Sequence, residues 1–203
     1  MFESENELTE EYAIRHVYPI SGFNMLIAAY AESIQSTKPL DIEGFIARYS
    51  EAQYGFSYDE TARFWSALKT APYEIVGGKA VSPTPLSIKQ LLDSAVAARK
   101  TLDNLRPKNN AEEFEHYRLM AAIRAYYLEF HEILQRVNSA GFMNEQVPGV
   151  LLELKNLMKN EEMLDLHFIE LNKGYLNPAE LKQENDLRNI RVQLLYDRLA
   201  RIK

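Results

Sequence analysis

Apolar residues recur at helical spacing through most of residues 87–203, and turn-forming residues divide this pattern into about four long segments. The spacing differs from that of a strand, which shows the same face at every second residue. Pro107, Gly141 and Gly174 lie between the segments, where a helix must end or turn. The pattern therefore predicts an all-α fold, with an antiparallel bundle of about four long helices over 87–203.

Local capping signals predict where individual helices begin. In a capping box, the first side chain accepts a hydrogen bond from the backbone amide three residues later, and the side chain there bonds back. Pairs with this spacing are Ser57 with Glu60, Ser87 with Gln90, Asn110 with Glu113, and Asn177 with Glu180. Asp41 can cap a further helix, which Gly55 can end in a left-handed conformation.

Residues 1–86 differ from the rest in composition. They hold 6 basic against 12 acidic residues and 13 of the 22 aromatic residues, so all the net charge lies here. Short helices are predicted, the first with helical spacing at Met25, Leu26, Ala29, Tyr30 and Ile34. Apolar runs on either side of Gly77 and Gly78 predict a small β-hairpin near 73–81, followed by an extended linker at 82–85. We therefore expect two domains, 1–86 and 87–203.

Composition excludes several classes of function. The chain has no cysteine, so it forms no disulfide framework and no thiolate metal site. Its net charge of -6, without a basic cluster, gives nucleic-acid binding no electrostatic support. We expect no membrane span, because no apolar run approaches the roughly 18 residues that one requires, and no signal peptide, because the first residues are acidic.

No pattern in the sequence predicts catalysis. Glu113 and His116 have the spacing found in the helices of di-iron bundles, but such a site needs a second pair, and none is present. Asp165 and His167 are two residues apart, so they diverge around a helix and are expected on its solvated surface. Nucleophile elbows and phosphate-binding loops are also missing. We predict no cofactor, no metal and no catalytic residue, and a chain that is not an enzyme by itself.

Aromatic residues suggest a carbohydrate surface instead. Aromatic rings can stack on sugars and tyrosine hydroxyls can bond to them, which makes Tyr54, Tyr58 and Trp65 the carbohydrate-contact candidates. Core packing is the alternative for all three. It is favoured for Trp65, because Phe64, Trp65 and Leu68 share one helical stripe.

Two stretches, Phe45 to Gly55 and Thr61 to Leu68, resemble a segment that follows the catalytic barrel in bacterial family 20 glycoside hydrolases, the β-N-acetylhexosaminidase type. In that family an Asp-Glu pair at the end of a barrel strand carries catalysis. This sequence lacks the alternating strands and helices of a barrel, so no catalytic residue can be carried over. The resemblance implies a non-catalytic C-terminal domain that supports an upstream catalytic barrel or positions glycan, in a periplasmic or extracellular enzyme if the parent is exported.

Two hypotheses of function follow. An accessory domain of a glycoside hydrolase should present a hydrophobic docking face within residues 1–86, and a uniformly polar exterior there would contradict it. The alternative is a stand-alone helical domain for protein interaction or dimerisation, which should associate in a concentration-dependent manner.

Overall fold

The computed structural model describes residues 20–69, 74–76, 79–81 and 86–202, with only the backbone described for 20–23 and for the strands. Within these residues the fold is all-α, as predicted, with one pair of three-residue strands. The elements are α1 (Ile20–Gln35), α2 (Ile42–Tyr54), α3 (Tyr58–Leu68), β1 (Glu74–Val76), β2 (Lys79–Val81), α4 (Ile88–Asn104), α5 (Ala111–Val137), α6 (Val147–Asn172) and α7 (Pro178–Ala200).

The strands β1 and β2 pair antiparallel, with Val76 opposite Lys79. This pairing agrees with the predicted hairpin. Tyr73, Gly77 and Gly78 lie outside the described residues, and so does the predicted linker at 82–85.

The predicted caps form at most helix ends. Asp41 accepts a hydrogen bond from the Gly44 amide and begins α2, and Gly55 ends it with a φ of 67°. Reciprocal capping bonds join the pairs Ser57 with Glu60, Ser87 with Gln90, and Asn177 with Glu180. Asn110 precedes α5 as expected, but its side-chain amide donates to the Gln53 carbonyl, 2.9 Å away.

By their contacts, the described residues divide into two compact units. The first unit consists of 20–69 and 94–122, and the second of 74–76, 79–81, 86–93 and 123–202. The divisions fall within α4 and α5, so each of these helices contributes residues to both units. Composition had predicted a boundary near residue 86.

The core of the first unit is rich in aromatic rings. Its buried residues come from α2, α3, the adjoining parts of α4 and α5, and the turns that follow α2 and α4. They include Phe45, Tyr49, Tyr54, Phe56, Phe64, Leu102, Leu105, Phe114 and Tyr117. Met25, Ala28 and Ala29 of α1 pack against this cluster.

The core of the second unit is mostly aliphatic and lies along α5, α6 and α7. Fully buried members include Leu128, Leu154, Leu157, Phe168 and Val192. Leu195 and Leu199 are buried, whereas the adjacent Leu194 is 60% exposed.

Candidate functional site

Tyr54, a carbohydrate-contact candidate, lies at the centre of the first unit's core. Its ring is completely buried and meets neighbouring rings at centroid distances of 5.3 to 6.2 Å, mostly edge to face. Such edge-to-face contacts add to the free energy gained by burying the rings. In this conformation Tyr54 contacts other side chains, and it offers no ring face to a sugar.

The Tyr54 hydroxyl has a defined partner in Glu113. It donates to Glu113 Oε1 over 3.1 Å, and the Asn24 side-chain amide donates to the other carboxylate oxygen over 3.4 Å. Burial, together with the nearby Tyr117 and Glu113, raises the pKa of Tyr54, so the hydroxyl remains a donor. Glu113 therefore joins α5 to α1 and α2.

His116, one turn after Glu113, is 5% exposed. Among the residues that the structure describes, no group of three His, Cys, Asp or Glu side chains is arranged to hold a metal ion.

The other two carbohydrate-contact candidates lie nearer the surface. Tyr58 begins α3 and is 83% exposed, whereas Trp65 is half-buried and packs against the aromatic core. Of the three, Tyr58 is the one whose ring is freely accessible. Sugar contact at Tyr58 stays a prediction.

A buried arginine forms the main polar feature of the second unit. Arg188 on α7 is 1% exposed, and its Nη2 donates to Asp165 Oδ1 over 2.6 Å and to the Asn185 side chain. The guanidinium carbon lies 5.0 Å from the centre of the Phe168 ring. Two further donors of Arg188, Nε and Nη1, are buried without a hydrogen-bond partner. Asp165 was expected on the solvated surface, but its side chain is only 25% exposed because it holds this cation.

Hydrogen bonds extend this network to a carboxyl group with an altered pKa. Asn189 donates to Asp165 Oδ2 over 2.8 Å, and the Tyr126 hydroxyl donates to Glu161 Oε2 over 3.1 Å. Burial raises the pKa of Glu161 to about 7, aided by Asp165 and opposed by the Tyr126 bond and the Arg188 charge. A carboxyl group that titrates near neutrality can serve as an acid or a base, but structural networks shift pKa values in the same way. Here the bonds link α5, α6 and α7, which makes packing their evident role.

His131 is a second buried titratable group in this unit. It is 1% exposed, and its ring centre lies 4.4 Å from that of Tyr127 with the two planes tilted by 48°. Among the residues that the structure describes, neither ring nitrogen has a hydrogen-bond partner. Burial, together with the positive charge of Arg191, lowers the pKa of His131 to about 4. The imidazole is therefore neutral at pH 7.

An open groove lies beside this part of α5. Its volume is about 200 Å³, and it is lined by Phe130, Leu134, Arg191, Leu194, Leu195 and Arg198. Pockets that hold drug-sized ligands usually measure about 300 to 1,000 Å³ and enclose most of the ligand. Leu194 is one of the residues that line the groove, and the size of the groove does not favour a small-molecule site.

An apolar stripe lies on the exposed face of α1. Leu26, Ile27, Tyr30 and Ile34 are 53%, 63%, 67% and 64% exposed. They lie opposite the face formed by Met25, Ala28 and Ala29, which packs on the core. We call these four residues the α1 stripe. Helical spacing in the sequence groups three of them, Leu26, Tyr30 and Ile34, with Met25 and Ala29, and the structure separates the two groups.

Comparisons with known proteins give no relative. The chain matches no protein-family model, no curated protein and no solved structure. Within the described residues, no helix is both long and apolar enough to cross a membrane.

Proposed function

We propose that this chain is a helical interaction domain that binds an apolar helix of a partner through the α1 stripe. The observation that carries the proposal is the exposure of the four large apolar side chains of α1 on the face opposite the core. A surface helix normally has one apolar face, which packs on its own domain, and one polar face. A contiguous apolar second face is typical of surfaces that bind another molecule, most often a protein or a membrane.

The charge distribution on α1 supports the same function. Glu32 is the single charged residue between Ile20 and Gln35, and it pairs with Arg48 of α2. No charged side chain of α1 therefore has to leave water when a partner covers the α1 stripe. Binding avoids the large free-energy cost of burying a charge from this helix.

A narrower form of the proposal makes the partner the catalytic barrel of a glycoside hydrolase. It is supported by the resemblance of residues 45–55 and 61–68 and by an apolar face in the first 86 residues, where an accessory domain requires one. Asp59 and Glu60 are adjacent, like the acidic pair of those enzymes, but they lie in the first turn of α3, and Glu60 completes a capping box. In this form the barrel supplies the chemistry and this chain supports it.

Site-specific photocrosslinking in the source cells tests the general proposal. A photoreactive amino acid replaces Ile27 in one variant and Met163 in a control, since Met163 is exposed to a similar degree on α6. We expect a discrete adduct from position 27 that is lost when Tyr30→Lys is added. Equal adducts from both positions, or none from position 27, would contradict the proposal.

The narrower form has its own test, which is the size of the native polypeptide by immunoblot with an antibody against residues 87–203. An accessory domain of a glycosidase predicts a band well above 23.4 kDa. A band at that mass would refute a barrel in the same chain and leave the general proposal intact.

A further inference from the structure

The α1 stripe has the spacing of a coiled-coil seam. Ile27, Tyr30 and Ile34 are separated by three and then four residues, and the same register continues in the sequence to Phe23 and Ile20. Alternating steps of three and four residues place apolar side chains along one line that faces a partner helix. Isoleucine occupies one of the two seam positions throughout, at Ile20, Ile27 and Ile34, and an aromatic residue occupies the other, at Phe23 and Tyr30.

We propose that a second copy of this chain covers the α1 stripe, so that two α1 helices pair about a two-fold axis. This inference rests on the proposed function and names its partner. A surface that pairs with itself must be complementary to itself. A seam of isoleucine and tyrosine meets this requirement, because each apolar side chain can pack on its equivalent or on the next one along.

The absence of charged residues beside the seam favours a second copy of this chain over a different partner selected by charge. The positions beside the seam are Asn24, Leu26, Ala31 and Ser33, and none of them is ionisable. Charged residues at these positions usually select a different chain. Glu32 points to the opposite side of α1, where it pairs with Arg48. Two copies of this acidic chain can therefore bring their α1 helices together without placing like charges of α1 against each other.

The available area is also adequate. Four large side chains that are each more than half exposed offer on the order of 500 Å² per copy, so two copies approach the roughly 1,000 Å² that a specific interface requires. An interface at this lower limit predicts a dimer that dissociates on dilution.

Sedimentation of the full chain over a roughly hundredfold range of concentration tests the inference. We expect a reversible monomer and dimer equilibrium, and at least about a 30-fold weakening of dimerisation in Ile27→Lys, because a charge would enter the centre of the seam. Met163→Lys is the matched control and should leave the equilibrium unchanged. Far-UV circular dichroism and the urea midpoint should show that both variants are folded.

Disulfide crosslinking gives a second measurement, since the chain has no cysteine of its own. Under mild oxidation, Ile27→Cys should form a covalent dimer far faster than Met163→Cys. A protein that is monomeric at every concentration, or a dimer that Ile27→Lys leaves intact, would overturn the inference. If the adduct in cells persists while the purified chain is monomeric, the proposed function stands with a different partner. If both are absent, the proposed function fails as well.

Discussion

Gly55 ends α2 with a φ of 67°, a conformation that costs most residues about 1 kcal/mol or more. A Cβ added here would lie 3.1 Å from the Cβ of Lys108. We therefore expect Gly55→Ala to lower the free energy of unfolding by about 1 to 2 kcal/mol in urea, followed by the fluorescence of Trp65. In Gly149→Ala the added Cβ meets nothing within 4 Å, so this control should be neutral or slightly stabilised. Equal effects would show that the backbone conformation is not the cause.

Glu161 should make the protein less stable as the pH rises. Its pKa is about 7 in the folded chain against 4.5 for the unfolded group, so between these values the folded state holds the extra proton. Stability is then lost as pH increases through this window and is constant above it. We expect Glu161→Gln to gain about 1 kcal/mol over the wild type between pH 4.5 and 8, a value reduced for the partial exposure of the group. Glu162→Gln, at the exposed neighbouring position, should keep most of the wild-type slope, because the charge of Glu162 makes only a small contribution to the raised pKa of Glu161.

His131 should act in the opposite direction. Its pKa is about 4 in the folded chain against 6.5 unfolded, so the unfolded state binds the extra proton and stability rises with pH across this window. Both His131→Phe and His131→Leu should remove this slope and stabilise the protein at pH 5 by roughly 1 to 2 kcal/mol. The effects of Glu161 and His131 on the pH dependence of the unfolding free energy partly cancel in the wild type. A Glu161 variant should therefore show the His131 slope alone, and a His131 variant the Glu161 slope alone. Retention of the wild-type slope in both His131 variants would refute the assignment.

Of the structural features of the helices, the capping residues are those that the sequence predicts best. Ser57 with Glu60 and Asn177 with Glu180 satisfy backbone amides within one turn, so the spacing of residues suffices to find them. Contacts between distant segments are not visible in such spacing. Glu113 bonds to Tyr54, 59 residues away, and Asp165 bonds to Arg188, 23 residues away. For the same reason the sequence could not show which apolar face of α1 packs on the core.

Arg118 on α5 closes the end of α4 in a way that no local pattern indicated. Its Nε donates to the Leu102 carbonyl over 3.2 Å and its Nη2 to the Leu105 carbonyl over 2.6 Å, in addition to the bonds that these carbonyls accept from the Leu105 amide and from Arg106. The guanidinium also lies 5.2 Å from the centre of the Phe114 ring. Arg118→Ala should therefore cost about 1 to 3 kcal/mol of unfolding free energy.

The matched control for Arg118→Ala is Arg99→Ala on α4. Arg99 forms an exposed pair with Asp103 at 3.7 Å, and such a pair contributes less than about 1 kcal/mol. Urea unfolding of both variants under the same conditions gives the comparison. If both substitutions lower the free energy of unfolding by the same amount, the bonds from Arg118 to the end of α4 do not stabilise the protein.

At the scale of the whole molecule, we expect α4 and α5 to link the stability of the two units. The second unit ends within α4 at residue 93 and begins again within α5 at residue 123, so neither helix belongs to one unit alone. Melting one unit removes the helical continuation of the other, and helices are cooperative along their length. The units should therefore unfold together.

Phe168→Ala tests this coupling, because Phe168 is fully buried in the second unit while Trp65 reports on the first. Removing the ring should cost about 3 to 5 kcal/mol. We expect the urea midpoint from Trp65 fluorescence to fall together with that from far-UV circular dichroism, and the two curves to coincide as in the wild type. Phe64→Ala removes a buried ring from the first unit itself, so it shows how far the urea midpoint from Trp65 fluorescence falls when the substitution lies in the same unit as Trp65. A Trp65 transition that stays at the wild-type midpoint in Phe168→Ala would mean that the first unit is stable alone, with α4 and α5 able to fray at the division without melting it.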